Sequence, residues 1–281
     1  MSDHFREMEA AIRLSRLPGV GAASFATMLK KYPVPSEALN AYFEGKSRPS
    51  ATRSLLKAST SAGIESTLEK LAASEIFGFY LGGPGYPQHL ADLSEPPPVL
   101  FSTSATISQP LAAVVGARQA DESCRSVVSS AVKILAGAGY SVLSGGAIGI
   151  DSMAHLASLE LGNPTWAVFG SGIDVYYPET NAPMFDRIRE NGGLLSELLC
   201  GAAPRQSFFP TRNRIIAAMS SVVVVVQAGP NSGSLITARW ARRLKRRLLV
   251  MQPPSSLKTG WEGSISLIEA GAEAFADKLV L

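Results

Sequence analysis

The stretch Ser141-Val-Leu-Ser-Gly-Gly-Ala-Ile-Gly-Ile-Asp151 decides the fold, because a short apolar run leads directly into a glycine-rich turn and then into a segment of helical character. Strand, glycine turn and helix in this order form the repeating unit of α/β proteins with a parallel sheet. The apolar run is continuous rather than alternating, which is typical of a strand covered on both faces. The stretch therefore predicts one unit of a doubly wound sheet.

The same unit recurs along most of the chain. Candidate strands lie at Ile76–Leu81, Leu111–Val115, Ser141–Ser144, Thr165–Phe169, Leu194–Ser196, Val222–Val226 and Leu248–Met251. Segments of helical length separate most of them. We therefore predict an α/β fold, with an extended Rossmann-like, doubly wound and mainly parallel sheet over residues 75–281.

Residues 1–74 have a different character. Apolar residues recur there among polar ones at helical spacing, and runs of β-branched residues are absent. This pattern predicts a small all-helical N-terminal domain. Leu17-Pro-Gly-Val-Gly21 interrupts the helical pattern. Two interpretations stay open for it: a helix-hairpin-helix turn whose amides meet a DNA phosphate, or a turn that only needs glycine. Further on, Glu95-Pro-Pro-Pro98 predicts an extended connector.

The distribution of charge points to an anionic partner. The 281 residues carry a formal net charge of +3, and 46% of them are hydrophobic. The window 205–247 contains nine basic residues and no acidic one, which favours a local contact with an anion. Aromatic residues make up only 7%, so we do not expect an extended platform of rings for stacking bases.

The sequence predicts a soluble cytoplasmic protein with no membrane partner. The N-terminus is polar, and no apolar run approaches the roughly 18 residues of a membrane span. The two cysteines show neither metal-site spacing nor a disulfide framework, which fits a reducing compartment. The chain also lacks a phosphate-binding loop of the ATPase type, so we expect no cofactor.

Ligands of open parallel sheets bind beyond the carboxyl ends of the strands, so the residues that follow each strand are the candidate site. Arg118 follows one strand, Gly145–Gly146 the next, and Ser232-Gly-Ser234 follows a third. Glycine turns before a helix offer N–H groups to an anion, although glycine also serves close strand-to-helix packing. Two such turns at matching strand ends favour a shared phosphate-binding edge.

A stripe of arginines follows the last of these turns. Arg239, Arg242, Arg243 and Arg246 have the spacing of one helix face, and no acidic residue shares the segment. A solvated helix face is the alternative, but such faces usually mix both signs of charge. The stripe therefore favours contact with phosphate.

A second basic segment contains Arg212, Asn213 and Arg214. Arginine suits bidentate contacts with phosphate, and asparagine either bonds a base edge or holds a loop. Structural pairing of the arginines with Glu197 or Asp174 remains an alternative. Asp151 and His155 share a helix face, but no nucleophile motif accompanies them, so packing or hydrogen bonding at the helix start is favoured over acid–base chemistry.

These motifs together resemble the DprA/Smf DNA-processing family. The matching segments are Val115-Gly-Ala-Arg118, Ser144-Gly-Gly-Ala-Ile-Gly-Ile-Asp151, Gly170-Ser-Gly-Ile-Asp174, Leu195-Ser-Glu197, Phe209-Pro-Thr-Arg-Asn-Arg-Ile-Ile216 and Ser232-Gly-Ser-Leu-Ile-Thr-Ala238. The resemblance runs from about residue 76 to residue 275. Residues 1–74 are similar to the sterile-alpha-motif-like domain of many members.

The resemblance implies a homodimeric protein that binds single-stranded DNA in a positively charged pocket and carries out no chemistry on it. It further implies protection of incoming DNA in natural transformation, loading of the recombinase RecA, and contact with single-stranded-DNA-binding protein. The motifs and the resemblance together predict DNA contacts at Arg118, Gly145, Gly146, Arg212, Asn213, Arg214, Ser232, Gly233 and Ser234, and the arginine stripe adds Arg239 and Arg243.

Two positions depart from the family pattern. Ile148 stands where the family usually has arginine, which removes a cation from the expected phosphate edge, and Asp121 brings an unfavourable charge nearby. Related nucleotide phosphoribohydrolases of the LOG type carry a catalytic glutamate after the loop that corresponds to Gly229–Ser234. No acidic residue follows that loop here until Glu262, which argues against hydrolysis. A nucleotide sensor that uses the same pocket remains an alternative.

Overall fold

The computed structural model describes residues 2–47, 61–107, 110–254, 259–276 and 278–281. The chain forms two compact units. We call the first the helical unit; it contains Met1–Thr106, Ser171–Val175 and Leu195–Ala203. We call the second the Rossmann-like unit; it contains Ile107–Gly170, Tyr176–Leu194 and Pro204–Leu281.

The helical unit begins with the helices that the sequence predicts. Its elements are α1 (Asp3–Ser15), α2 (Ala22–Lys31), α3 (Pro35–Phe43), α4 (Ser61–Ala72), β1 (Phe77–Tyr80), α5 (Gln88–Ala91) and β2 (Val99–Ser102). The Ser2 hydroxyl caps α1 by accepting the Phe5 N–H at 3.3 Å, and Pro35 opens α3, where its fixed φ suits the first turn. The predicted connector Glu95–Pro98 is irregular, and β2 follows it directly.

Strand β2 was not predicted, although it pairs antiparallel with β1, with Phe77 opposite Ser102. Its other edge pairs antiparallel with the end of β6 (Gly193–Ser196). The turn Leu17–Gly21 joins α1 to α2, with Gly19 at φ 80° and the Val20 N–H donating to the Leu17 carbonyl at 3.1 Å. A role for this turn in DNA contact stays a prediction.

The Rossmann-like unit alternates strands and helices. Its elements are β3 (Leu111–Val115), α6 (Cys124–Gly137), β4 (Ser141–Ser144), α7 (Ile150–Glu160), β5 (Thr165–Val168), α8 (Ala182–Asn191), the start of β6, α9 (Phe208–Met219), β7 (Val222–Val225), α10 (Ser234–Arg243), β8 (Arg247–Met251), α11 (Glu262–Glu269) and β9 (Glu273–Phe275). The predicted strands from residue 111 onward agree with these bounds to within a residue, and β9 is an addition.

The strands of this unit run in the order β5-β4-β3-β7-β8-β9, and all these neighbours pair in parallel. The chain moves from β3 towards β4 and β5 on one side, and later from β7 towards β8 and β9 on the other. The direction of winding therefore reverses at β3, which creates a crevice at the carboxyl ends of β3, β4 and β7. This confirms the predicted α/β, doubly wound and mainly parallel fold.

Both faces of this sheet are buried, as the continuous apolar strands predict. Ala112, Val114, Val224 and Leu249 form one core cluster with residues of α6 and α7. The alternate strand residues are also buried, on the face where α9 and α10 pack against the strands. Covered faces leave the carboxyl ends of the strands as the place where polar groups meet a ligand.

Among the residues that the structure describes, no helix is both long enough and apolar enough to cross a membrane. Cys124 and Cys200 are free thiols, and both are buried. Burial raises the pKa of each thiol to about 11.

Candidate nucleic-acid interface

A cavity of about 1010 Å³ opens at the crevice beside β3. The turns after β3, β4 and β7 line it, together with residues of α9 and α10. All of these segments belong to the Rossmann-like unit. Its position is the one predicted from the strand ends, and its size exceeds what a single phosphate group needs.

One wall of the cavity combines a cation with two aromatic rings. Arg118, which follows β3, is exposed, and its guanidinium carbon lies 5.9 Å from the centre of the Phe209 ring. The Tyr177 ring lies 5.4 Å from Phe209 and is tilted by 35°. Tyr177 is 45% exposed and lines the cavity. Such a wall can hold a phosphate near the arginine and a base against the rings.

The glycine turn after β4 is held from within by a carboxylate. Asp151 accepts the N–H groups of Gly145, at 3.1 Å, and Ala147, at 3.4 Å. The Gly145 N–H is therefore already bonded within the protein, and the contact of Gly145 and Gly146 with DNA stays a prediction. Gly145 and Gly146 are both buried. At Gly145, a Cβ would come within 2.7 Å of Asp151 Oδ2, so close packing explains this glycine.

Gly149 fixes the same turn against the turn after β3. Its φ is 84°, and a Cβ there would overlap the carbonyl oxygens of Ala117 and Arg118. The Ile150 N–H donates to the Ala117 carbonyl at 3.1 Å. Only glycine suits this conformation and this close approach. The turns that follow β3 and β4 are consequently packed together at the cavity.

Arg212 is a buried structural cation that also lines the cavity. Its guanidinium donates to the carbonyls of Gly145, at 2.7 Å, and Val168, and its Nε donates to Asn213 Oδ1 at 3.1 Å. Burial lowers the pKa of Arg212 to about 10, and the Asp151 carboxylate opposes this shift. Arg212 therefore stays protonated at neutral pH, and its Nε and Nη1 donate to groups of the protein.

Asn213 and Arg214, which follow Arg212, differ in their position relative to the cavity. The Asn213 amide lines the cavity and donates to the Gly233 carbonyl at 3.0 Å, so it holds the loop after β7, which is one of its two predicted roles. Arg214 is 5% exposed and is not among the residues that line the cavity. Its predicted contact with DNA has no support from this position.

The turn before α10 reaches the cavity as predicted. Ser232, Gly233 and Ser234 all line it, and the two serine hydroxyls lie 2.8 Å apart. The first-turn amides are partly used, because the Leu235 N–H donates to the Ser232 carbonyl at 3.1 Å. The serine hydroxyls are thus the groups of this turn that are best placed to reorient towards a ligand.

The predicted stripe of four arginines on α10 is wrong in one member. Arg239, Arg242 and Arg243 are exposed on the helix, but the helix ends at Arg243. Lys245 then takes φ 55°, which turns the chain, and Arg246 donates to the Ala218 carbonyl at 3.0 Å instead of extending the stripe. None of the three helical arginines is among the residues that line the cavity.

Asp121 belongs to a hydrogen-bonded clamp behind the turn after β3. Its N–H donates to Gln227 Oε1 at 3.0 Å, and its carboxylate accepts from Gln227 Nε2 at 3.0 Å and from Trp261 Nε1 at 2.9 Å. Gln227 follows β7, so this Asp121–Gln227–Trp261 clamp ties the ends of two adjacent strands together. The carboxylate of Asp121 therefore has hydrogen-bond donors within the protein.

His155 is a core residue, as the favoured interpretation predicts. It is fully buried, and its Nδ1 lies 2.8 Å from Thr165 Oγ1. Burial, together with the nearby Arg212, lowers the pKa of His155 to about 3, so the ring is neutral near pH 7. Burial also raises the pKa of Asp151, against the opposing charge of Arg212. His155 is not among the residues that line the cavity, whereas Asp151 lines it with 8% of its surface exposed.

The sequence did not single out Phe209 and Tyr177 as parts of one wall. The two residues lie 32 positions apart, and each reads in isolation as an ordinary aromatic. The signal was their place: Tyr177 lies in the segment after β5 and Phe209 in the first turn of α9, and both places meet at the carboxyl edge of the sheet.

Comparisons with known proteins agree on one family. A sequence model described as DNA recombination-mediator protein A matches residues 79–280. The Protein Smf of Synechocystis sp. is 35% identical over 196 residues, which cover 68% of this chain and 49% of that protein. The DNA processing protein DprA of Streptococcus pneumoniae is 36% identical over 191 residues, 67% of each protein.

Solved structures show the same relationship. The X-ray structure of DNA processing protein A from Streptococcus pneumoniae matches 86% of this chain and 78% of its own, with a TM-score of 0.69 and 30% identity. DNA processing protein A from Helicobacter pylori, described for its unique single-stranded DNA binding mode, matches 71% of this chain and 90% of its own. That match has a TM-score of 0.62 and 27% identity.

Proposed function

Because this chain belongs to the DNA recombination-mediator protein A family, we propose that it binds single-stranded DNA in the cavity beside β3. The family is one of DNA-processing proteins, and the Helicobacter pylori relative is described by its binding of single-stranded DNA. The observation that carries the proposal is the wall formed by Arg118, Phe209 and Tyr177.

This wall suits a flexible strand rather than a duplex. Phe209 and Tyr177 offer ring faces to bases, and base–aromatic stacking contributes about 1–3 kcal/mol per base. Bases are available for such contacts only when they are unpaired. Arg118 supplies the exposed positive charge for the phosphate that follows. Every base has a π face, so binding is nearly independent of sequence.

The arginines of α10 extend the proposed path. Arg239 and Arg243 are exposed, and the Arg243 guanidinium carbon lies 5.1 Å from the centre of the Trp240 ring. Since Ser234, Ile236 and Thr237 of this helix line the cavity, a strand that leaves the cavity along α10 meets these cations next. Arg239 and Arg243 then act as a second, outer set of phosphate contacts.

We propose binding without chemistry. Among the described residues that line the cavity, Asp151 is the only carboxylate, and it is buried against Arg212 and the turn amides. The first turn of α10 contains no acidic residue, where a LOG-like hydrolase would need its glutamate nearby. A nucleotide sensor would use the same wall, and competition by mononucleotides separates it from DNA binding.

The broader biological role is part of the proposal. The first of these relatives is matched over only about half of its length, so the activities of whole relatives come to this chain by inference. We infer protection of incoming DNA in natural transformation, RecA loading, contact with single-stranded-DNA-binding protein, homodimerisation and action in the cytoplasm. Residues 1–74 are the proposed sterile-alpha-motif-like domain and residues 75–281 the DNA-binding one.

The test is fluorescence anisotropy of labelled oligo-dT over a series of salt concentrations. Arg118→Ala is compared with Arg125→Ala, an exposed arginine of α6 that pairs with Glu122 at 2.8 Å and is not among the residues lining the cavity. We expect Arg118→Ala to weaken binding about tenfold and to reduce the log–log salt slope by about 0.7, while Arg125→Ala changes neither. Phe209→Ala should weaken binding by about 1–3 kcal/mol.

Two results would refute the proposal. One is no binding by the wild-type chain at low salt. The other is equal affinity for the Arg118→Ala and Arg125→Ala variants. Complete competition by mononucleotides at concentrations near those of the oligonucleotide would favour the sensor, and release of a free base from them would favour the hydrolase.

A further inference from the structure

We propose that Ile148 is a specificity contact that packs against a nucleobase, so that this side of the cavity selects bases rather than phosphates. The inference rests on the proposed function, because it assigns a role within the same DNA-binding cavity. Because the side chain of Ile148 is uncharged, it cannot attract a phosphate group.

Ile148 is 46% exposed, which is unusual for an isoleucine next to a packed sheet. Large hydrophobic side chains in the described part of the chain are mostly buried, and few are exposed. Of the exposed ones, Ile148 and Tyr177, at 46% and 45%, both line the cavity. Two exposed apolar side chains at one cavity mark a surface that a ligand can cover.

The backbone holds Ile148 close to the aromatic wall. Asn181 Nδ2 donates to the Gly146 carbonyl at 3.0 Å and to Ser152 Oγ at 2.9 Å. This amide fastens the segment that begins at Tyr177 to the turn that carries Ile148. On its other side the same turn packs on the carbonyls of Ala117 and Arg118. Ile148 therefore projects from a rigid turn that borders both the aromatic and the basic parts of the wall.

The charges of the cavity favour a base at this position. Among the described lining residues the cations are Arg118 and Arg212. Arg212 is buried, and its Nε and Nη1 donate to Asn213 and to backbone carbonyls. The exposed positive charge thus lies at Arg118, where a phosphate is stabilised. An apolar side chain gains nothing beside a solvated phosphate, whereas it buries area against the face of a base.

The test compares Ile148→Ala with the matched control Leu161→Ala. Leu161 is 48% exposed at the opposite end of α7 and is not among the residues that line the cavity. Each variant is titrated with labelled oligo-dT and with an abasic oligonucleotide of the same length, which keeps the phosphates but has no bases. We expect Ile148→Ala to weaken binding of oligo-dT about fivefold to tenfold and to leave the abasic oligonucleotide unchanged.

A second variant supplies the opposite signature. Ile148→Arg should strengthen binding of the abasic oligonucleotide and steepen the log–log salt slope by about 0.7. The inference is overturned if the wild type binds oligo-dT but Ile148→Ala behaves like Leu161→Ala, or if Ile148→Ala weakens both ligands equally. Failure of the proposed function looks different, because the wild type then does not bind oligo-dT at all.

Discussion

Replacing Arg212 by methionine tests whether this arginine is a structural group of the fold. Methionine fills a similar length without charge, so the change removes the hydrogen bonds to Gly145, Val168 and Asn213. It also removes the cation that faces the buried carboxyl of Asp151. If Arg212 were only a surface contact for DNA, the variant would bind DNA more weakly but unfold with the same free energy. If Arg212 is a buried structural group, the variant should have a lower free energy of unfolding.

The expected loss follows from these contacts. Breaking a buried ion pair by removing one partner costs about 3–5 kcal/mol, because the remaining charge is left without compensation. Hydrogen bonds from a charged donor contribute about 1.5–3 kcal/mol each, although the values do not add in full. We therefore expect Arg212→Met to lower the free energy of unfolding by about 4 kcal/mol at pH 7.

Urea denaturation at several pH values is the assay. Loss of Arg212 pushes the pKa of Asp151 further above its unfolded value of 3.8. A carboxyl with a raised folded pKa loses stability as the pH rises through that pKa, so the deficit of the variant should be largest at pH 7 and shrink towards pH 4. Adding Asp151→Asn should recover about half of the loss. A loss below about 1 kcal/mol, or no recovery, would refute this reasoning.

Two further predictions concern the fold around the cavity. Gly149→Ala should lower the free energy of unfolding by about 3 kcal/mol or more, because the new Cβ overlaps the Ala117 and Arg118 carbonyls. The control is Gly162→Ala, at φ 65° with open space around it, which should lower the free energy of unfolding by about 1 kcal/mol. Equal losses of the two variants in thermal denaturation would contradict this prediction. His155 has a folded pKa of about 3, so stability should be lost as the pH falls from about 6.5 towards 3. His155→Gln should flatten that part of the stability profile, and an unchanged slope would show that other groups cause it.

The parallel strands could be predicted because each is a buried apolar run bounded by glycine or by a helix. Strand β2 was missed because three prolines precede it and mask its start, and β9 because Glu273–Phe275 has only one buried residue. Arg118 and the Ser232–Ser234 turn were placed correctly at the cavity, since the ends of parallel strands meet at one edge.

The burial of Arg212 and Arg214 could not be predicted from the sequence in the same way. Charged side chains normally point away from a core, and the spacing of apolar residues cannot identify a helix that is covered on all sides. Helix α9 is buried from Arg212 to Met219, so its arginines had to find partners inside the protein. Phe209 and Tyr177 meet only through the tertiary fold, which no local pattern encodes.

The Asp121–Gln227–Trp261 clamp has a consequence for the kinetics of recognition. Two hydrogen bonds of 3.0 Å hold the loop after Arg118 to Gln227 at the end of β7, and a third, of 2.9 Å, holds it to Trp261. A ligand therefore meets a preformed crevice and pays little ordering entropy in the protein. Association should follow a single exponential whose rate is proportional to ligand concentration, without the plateau that a slow opening step would impose. In that case the single-stranded DNA, and not the protein, changes its conformation on binding.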